Sequence, residues 1–487
     1  LAQTGDDTIS TGTGTDEVLG GSGDDAITVD GVGNKTIDGG AGTDGLTISI
    51  SGITSLADYS ISTSGDYTVL TDASNNVIQY KNIENLTVGS YAYTYTGSSS
   101  DGYTVKNGYW NLSEETLYLF NGGNLSLPSS HQFDQLFSQH VTEITSDFKV
   151  VGSKLADTLN LNANRSGDRE TISGDWTLSM GAGNDSISSA KFKNGDSVDM
   201  GAGNDTVSVM VGGGSGTPAF TSLDMAKLDG GTGTDTLSFE ESTTGGAEVN
   251  LARGGAVNFE NLIATSSAET VRGDSGNNIL EGKGGADTLY GGSGDDTLYA
   301  HGNEGSGVSS ESTNDNLYGE AGDDTLSASG GDNILDGGTG ADTIRTGSGS
   351  DTIVIRSGSG GDILADADII TDFTDGSDFF GLDNGLLYTE LTRTQGTGSY
   401  ANDTIVSKGS EYLAILQGIN VNSINYFDFV SMATSNQSFT GTTDDDVFIG
   451  AAGIDTVSTN IGDDIILTTS GDDAITVDGV GNKTIDG

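Results

Sequence analysis

The chain has 487 residues, including 77 Gly, 2 Pro and no Cys, and its 71 acidic residues against 18 basic ones leave a net charge of −53. The Pro count excludes collagen and Pro-rich linkers, and the missing Cys excludes a disulfide framework, a zinc-thiolate site and a Cys nucleophile. A polyanion of this size offers no Lys/Arg patch to nucleic acid or anionic lipid, and no apolar run is long enough for a membrane span. Leu1 is not a start methionine and no signal peptide opens the chain, so it reads as a mature or excised piece. High acidity with many Gly and few aromatics fits either disorder or a fold that uses Asp and Gly for a purpose. A regular period separates the two.

The first block, residues 1–47, shows a period of nine: TGTGTDEVL at 11–19 is followed by GGSGDDAIT at 20–28. The shared pattern is Gly-Gly-x-Gly-x-Asp-x-U-x, with U a large apolar residue. It places Asp7, Asp16, Asp25 and Asp44 in series, with Lys35 where an Asp belongs. Glycines allow positive φ and close backbone approach. Asp is a hard oxygen donor and turn carbonyls add more, a set suited to Ca²⁺. The last three residues of each repeat form a short strand with U inward. An ammonium cannot ligate Ca²⁺, so the Lys35 position is expected to hold no ion.

Residues 48–150 have few repeats and most of the Tyr, and read as an inserted β domain. Alternation predicts strands at 66–70 and 91–96. Apolar spacing at Phe133, Leu136, Phe137 and Val141 predicts one short helix over 129–144, where His131 and His140 read as exposed or capping residues. Residues 151–240 read as an irregular array, with a degenerate copy at Asp157 and further copies at Asp185, Asp205 and Asp235. Within residues 241–272, Asn-Phe-Glu-Asn-Leu (258–262) echoes Asn-Ile-Glu-Asn-Leu (82–86) and leads directly into an array.

The main array spans 273–361, with tandem copies at 282–299 and 319–354. The pattern places Asn278, Asp287, Asp296, Asp315, Asp324, Asn333, Asp342 and Asp351 at its Asp position. The Gly/Ser-rich insertion at about 300–312, with His301, is expected to be a surface loop. Residues 362–439, which follow the array, are rich in apolar and acidic residues. The series restarts over 440–487 with Asp446, Asp455, Asp464 and Asp473. There the stretch SGDDAITVDGVGNKTIDG at 22–39 returns unchanged at 470–487, an offset of 448. Its non-consensus middle makes chance identity a poor explanation, and the chain reads as a window on a longer protein with a repeat near 448 residues.

These tandem nonapeptides resemble the RTX (hemolysin-type calcium-binding) repeats of secreted proteins. Residues 241–272 resemble the linking segment that precedes such arrays in RTX surface proteins, and 368–380 resembles the segment that closes them in serralysin-like proteins, which implies that 362–439 closes the roll. The resemblance implies an all-β fold: calcium-binding parallel β-roll blocks (an RTX solenoid), separated by inserted β-rich domains with one short helix. It implies two repeats per turn, which would put Asn278, Asp296, Asp324 and Asp342 along one edge and Asp287, Asp315, Asn333 and Asp351 along the other, with several Ca²⁺ ions in ladders between turns, carried by the Asp series above. It also implies type I secretion to the surface or extracellular matrix of a bacterium.

The function expected is structural: a calcium-dependent segment of a giant surface protein that assembles with copies of itself into an S-layer, sheath or fibre, with cell-surface polysaccharide as a further partner. The alternatives are the extender of an RTX adhesin and the RTX module of a secreted polysaccharide-acting enzyme. Catalysis is not expected: the three His, at 131, 140 and 301, cannot form the His-Glu-x-x-His zinc motif of serralysins. Ice binding would need regular Thr/Asn rows, and positions three and five of the repeat vary too much to supply them.

Overall fold

A computed structural model describes residues 4–486, apart from 55, 65–66, 90, 96–103, 112–115, 127–147, 153–155, 161–174, 191, 193–194, 211–226, 241–247, 252–255 and 302–311. The expected helix over 129–144, with His131 and His140, lies outside the described residues, as does most of the insertion at 300–312. The described elements are short β-strands with a few one-turn 3-10 segments. No described helix is long and apolar enough to cross a membrane. The chain forms two compact units, residues 1–241 with 254–259, and residues 242–253 with 260–487.

The first unit begins as a roll. Thr8–Ser10, Ala26–Val29 and Gly45–Ile48 pair in parallel on one side, and Asp16–Ser22 and Lys35–Ala41 on the other. The parallel pairing crosses the boundary expected at 47/48. Lys35–Asp38 continues onto Ile78–Lys81, and Gly45–Ile48 onto Asn85–Val88. Between them the chain leaves as an antiparallel excursion through Tyr59–Ser64 and Tyr67–Asp72. Further along, parallel pairs link Thr158–Asn160 to Ser186–Ala190, Thr206–Met210 and Thr236–Glu240. These are the irregular turns expected from Asp spacings of 20 and 30.

In the second unit both sheets of the roll stack in register. One column runs Val271, Leu289, Leu317, Leu335, Ile353, Phe380, and the other runs Leu262, Leu280, Leu298, Leu326, Ile344, Ile370. All of these U-column side chains are fully buried. At about 25 cal/mol per Å² of apolar area this interior column is the main source of cohesion between turns. The closing segment continues the sheets. Asp368–Ile370 adds to Thr343–Arg345, and Phe379–Leu382 adds to Thr352–Ile355. Stacked Phe373, Phe380 and Phe429, with ring centroids 5.5 and 5.3 Å apart, cover that end of the core. An antiparallel meander of Leu391–Gln395, Thr404–Lys408 and Glu411–Leu416 completes it. Past it a smaller roll starts again over 438–486, around Phe448, Val457 and Ile466.

Candidate metal sites

Most turns carry an Asp just ahead of the strand, with Asn278, Asn333, Glu269 or Lys35 in its place in others, and parallel stacking puts these positions above one another. The backbone N–H of one such residue donates to Oδ1 of the Asp one turn on. In the main array this runs Asn278 to Asp296, Asp296 to Asp324 and Asp324 to Asp342, at 2.7–2.8 Å. The other edge runs Glu269 to Asp287, Asp287 to Asp315, Asp315 to Asn333 and Asn333 to Asp351, at 2.7–2.9 Å. The two predicted edges are therefore the two observed ladders. The same bonds join Asp7, Asp25 and Asp44; then Asp157, Asp185, Asp205 and Asp235; then Asp455 and Asp473; and Asp446 and Asp464. Asp16 faces Lys35 instead of another Asp.

These bonds use one carboxylate oxygen. The second, Oδ2, is buried without a hydrogen-bond partner in Asp25, Asp44, Asp185, Asp205, Asp287, Asp296, Asp324, Asp342 and Asp351. A buried carboxylate oxygen with nothing to accept from costs on the order of 1–3 kcal/mol or more. Burial accordingly pushes the carboxyls up: Asp287 to about 8, Asp185, Asp296 and Asp342 to about 7, and Asp324 and Asp351 to about 6. A row of half-satisfied carboxylates inside a chain of −53 charge is what a cation would complete.

The donor set fits a hard ion. Among the described residues no three His, Cys, Asp or Glu converge; what meets is carboxylate oxygen and turn carbonyl, the Gly319 carbonyl beside Asp296 Oδ2 and the Gly337 carbonyl beside Asp324 Oδ2, the donor types Ca²⁺ prefers. Space is kept for it in many turns by the first Gly of the repeat. A Cβ on Gly291, Gly319 or Gly337 would strike Oδ2 of Asp296, Asp324 or Asp342. The cradle is not uniform: Met180 and Met200 fill that position ahead of Asp185 and Asp205, and Thr346 fills it ahead of Asp351.

Several ladder members lie off the nonapeptide pattern. Glu84 accepts from the N–H of Asp44 and Asp196 from that of Trp176. Asp368 and Asp378, in the closing segment, accept the last N–H groups of the two main ladders, from Asp342 and Asp351. A second ladder runs outside the first and in the opposite sense. Asp295 N–H donates to Asn277, Asp323 to Asp295 and Ala341 to Asp323. This uses position five of the repeat, which in the sequence shows only variation. His301 also departs from expectation. It is 2 % exposed, with Nε2 3.0 Å from the Thr313 hydroxyl and Nδ1 3.7 Å from Asp315 Oδ2, and so packs into the roll at the base of the insertion.

The family model for the RTX calcium-binding nonapeptide repeat (4 copies) matches residues 2–27, 263–303, 440–475 and, in overlapping matches, 311–344, 318–353 and 328–364. The chain carries RTX calcium-binding nonapeptide repeats. No curated protein sequence matches it. Among solved structures it is similar to the extracellular lipase LipA from Serratia marcescens, at 14 % identity and a TM-score of 0.18, over 88 % of this chain and 38 % of the lipase. The chain thus spans well under half of that protein's length, and at such a score the likeness bears on nothing further. The RTX matches leave out 157–240, where Asp157, Asp185, Asp205 and Asp235 still build a ladder of the same hydrogen-bond geometry.

Proposed function

We propose that this chain is a structural, calcium-loaded segment of a giant secreted repeat protein, and that copies assemble into a layer, sheath or fibre at a bacterial surface. The observation that carries the reading is the paired ladder of buried carboxylates, each with one oxygen bonded to backbone and one left for an ion. On the order of fifteen Ca²⁺ would add about +30, removing much of the self-repulsion that opposes a compact state. The duplicated stretch supports a repeat-built protein. Asp30 of the first copy accepts from Ser10, ahead of it, at 3.0 Å, and Asp478 of the second accepts from Ser458, ahead of it, at 3.1 Å, so both copies dock on the preceding turn in the same way.

The role is scaffolding, not catalysis. Such a charged chain needs bridges to meet its neighbours, and calcium between surface carboxylates supplies them. Purified full-length chain imaged by electron microscopy in millimolar calcium is expected to form ordered arrays that disperse in EGTA and return when calcium is restored. A dispersed monomer under all calcium conditions would overturn the assembly.

A further inference from the structure

Lys35 breaks the Asp series, and the structure shows what it does there. Its side chain is fully buried, and its ammonium lies 2.9 Å from Asp16 Oδ2 and 2.5 Å from the Gly14 carbonyl oxygen. Both partners belong to the turn before. A buried ammonium is costly unless it is paired and hydrogen-bonded, and here a carboxylate and a turn carbonyl do both. These are the two donor types that the regular turns offer an ion. The backbone adjusts as well. The Asp16 N–H, with no carboxylate above it to bond, donates to the Asn34 carbonyl at 3.0 Å.

The arrangement occurs a second time. Lys483 sits 2.9 Å from Asp464 Oδ2 and donates to the Gly462 carbonyl, and the Asp464 N–H donates to Asn482 at 2.9 Å. The turns that receive the two lysines differ, with Glu17-Val18-Leu19 after Asp16 and Ile465-Ile466-Leu467 after Asp464. The same clasp therefore forms against two different receiving turns.

We propose that Lys35 and Lys483 are tethered cations that take the ion's place beside Asp16 and Asp464, so that these two turns close without calcium while the regular turns require it. The covalent tether makes this cation always present, at no cost in binding from solution, so the clasped turns are the part of each roll that holds at low calcium. The ion count rests on the proposed calcium loading; the clasp itself does not.

The full chain should be compared with Lys35→Asp and with the double variant Lys35→Asp/Lys483→Asp by native mass spectrometry in excess calcium. One and two additional ions are expected, and equal counts in all three would overturn the proposal. In the same buffer, amide exchange of residues 14–21 in Lys35→Met, and of 462–468 in Lys483→Met, is expected to accelerate at least tenfold. Exchange unchanged in both would overturn the clasp. A wild-type chain that binds no calcium at all would instead sink the calcium reading, leaving the clasp to be judged by exchange alone.

Discussion

The amide of Asp324 donates to Oδ1 of Asp342 at 2.8 Å, while Oδ2 of that same Asp342 is buried with no hydrogen-bond partner. One carboxylate thus has a structural oxygen and a spare one. The structural oxygen exists in any folded roll; the spare one makes the metal-free roll expensive.

Calcium removal should therefore unfold the arrays. Because binding energy is folding energy when sites form only in the fold, EGTA should convert the arrays from β-rich to largely disordered, reversibly. The threshold should be about millimolar, as in extracellular modules. Far-ultraviolet circular dichroism checks it; a spectrum indifferent to full chelation counts against it.

The pH dependence of the metal-free chain has an unusual sign. Carboxyls in the unfolded chain titrate near 3.8, whereas burial raises Asp287 to about 8 and Asp185, Asp296 and Asp342 to about 7. Between those values the folded state binds more protons, so its stability rises as pH falls and is lost as pH climbs through about 7–8. In EDTA the chain should gain β-structure from pH 8 to pH 5. With calcium present, protons compete for the same oxygens and apparent affinity should fall over that range. More structure at pH 8 than at pH 5 in EDTA would contradict the assignment.

Glycines should divide into two groups. Gly340 has φ +138° and a Cβ there would collide with the Gly322 carbonyl of the turn before; Gly409 has φ +63° with nothing within 4 Å. Gly409→Ala should cost about 1 kcal/mol of backbone strain. Gly340→Ala should cost about 3 kcal/mol or more, since stacked turns must also separate. Urea unfolding in saturating calcium measures both, and equal losses would show that turn spacing is not set by this contact.

The interior column predicts a core cost. Leu317 is fully buried between Leu289 and Leu335, and Leu317→Ala should lose about 2–5 kcal/mol. The damage should stay with adjacent turns, because each turn touches only its neighbours. Exchange measurements should show loosening across 288–336 and little change over 438–486.

Much of this was legible because a nine-residue period converts directly into stacked positions. Asp287 and Asp315 are separated by an insertion, yet they share an edge because the count of turns, not of residues, decides it. Glu84, Glu269, Asp368 and Asp378 were invisible for the complementary reason. They serve ladders from segments that do not repeat, and only the return of the chain brings them into line. The outer ladder was hidden because Asn and Asp accept equally well, so that Asn277, Asp295 and Asp323 look like variation. His301 misled because a Gly/Ser-rich sequence says where a loop leaves but not that the residue at its base turns inward.

The duplicated stretch has a consequence for any peptide-level measurement. In the first copy Ile27, Val29 and Ile37 are at most 1 % exposed, and the same three side chains return as Ile475, Val477 and Ile485 in the second. Proteolytic fragments from within 22–39 and 470–487 have the same mass and the same retention. Deuterium uptake would therefore appear as two isotope envelopes under one peptide, the usual signature of slow cooperative opening, although here it would report two places in one chain. Substituting Val477 with a residue of different mass would split the signal and turn the ambiguity into an internal standard, in which one sequence is read side by side at two places in one chain.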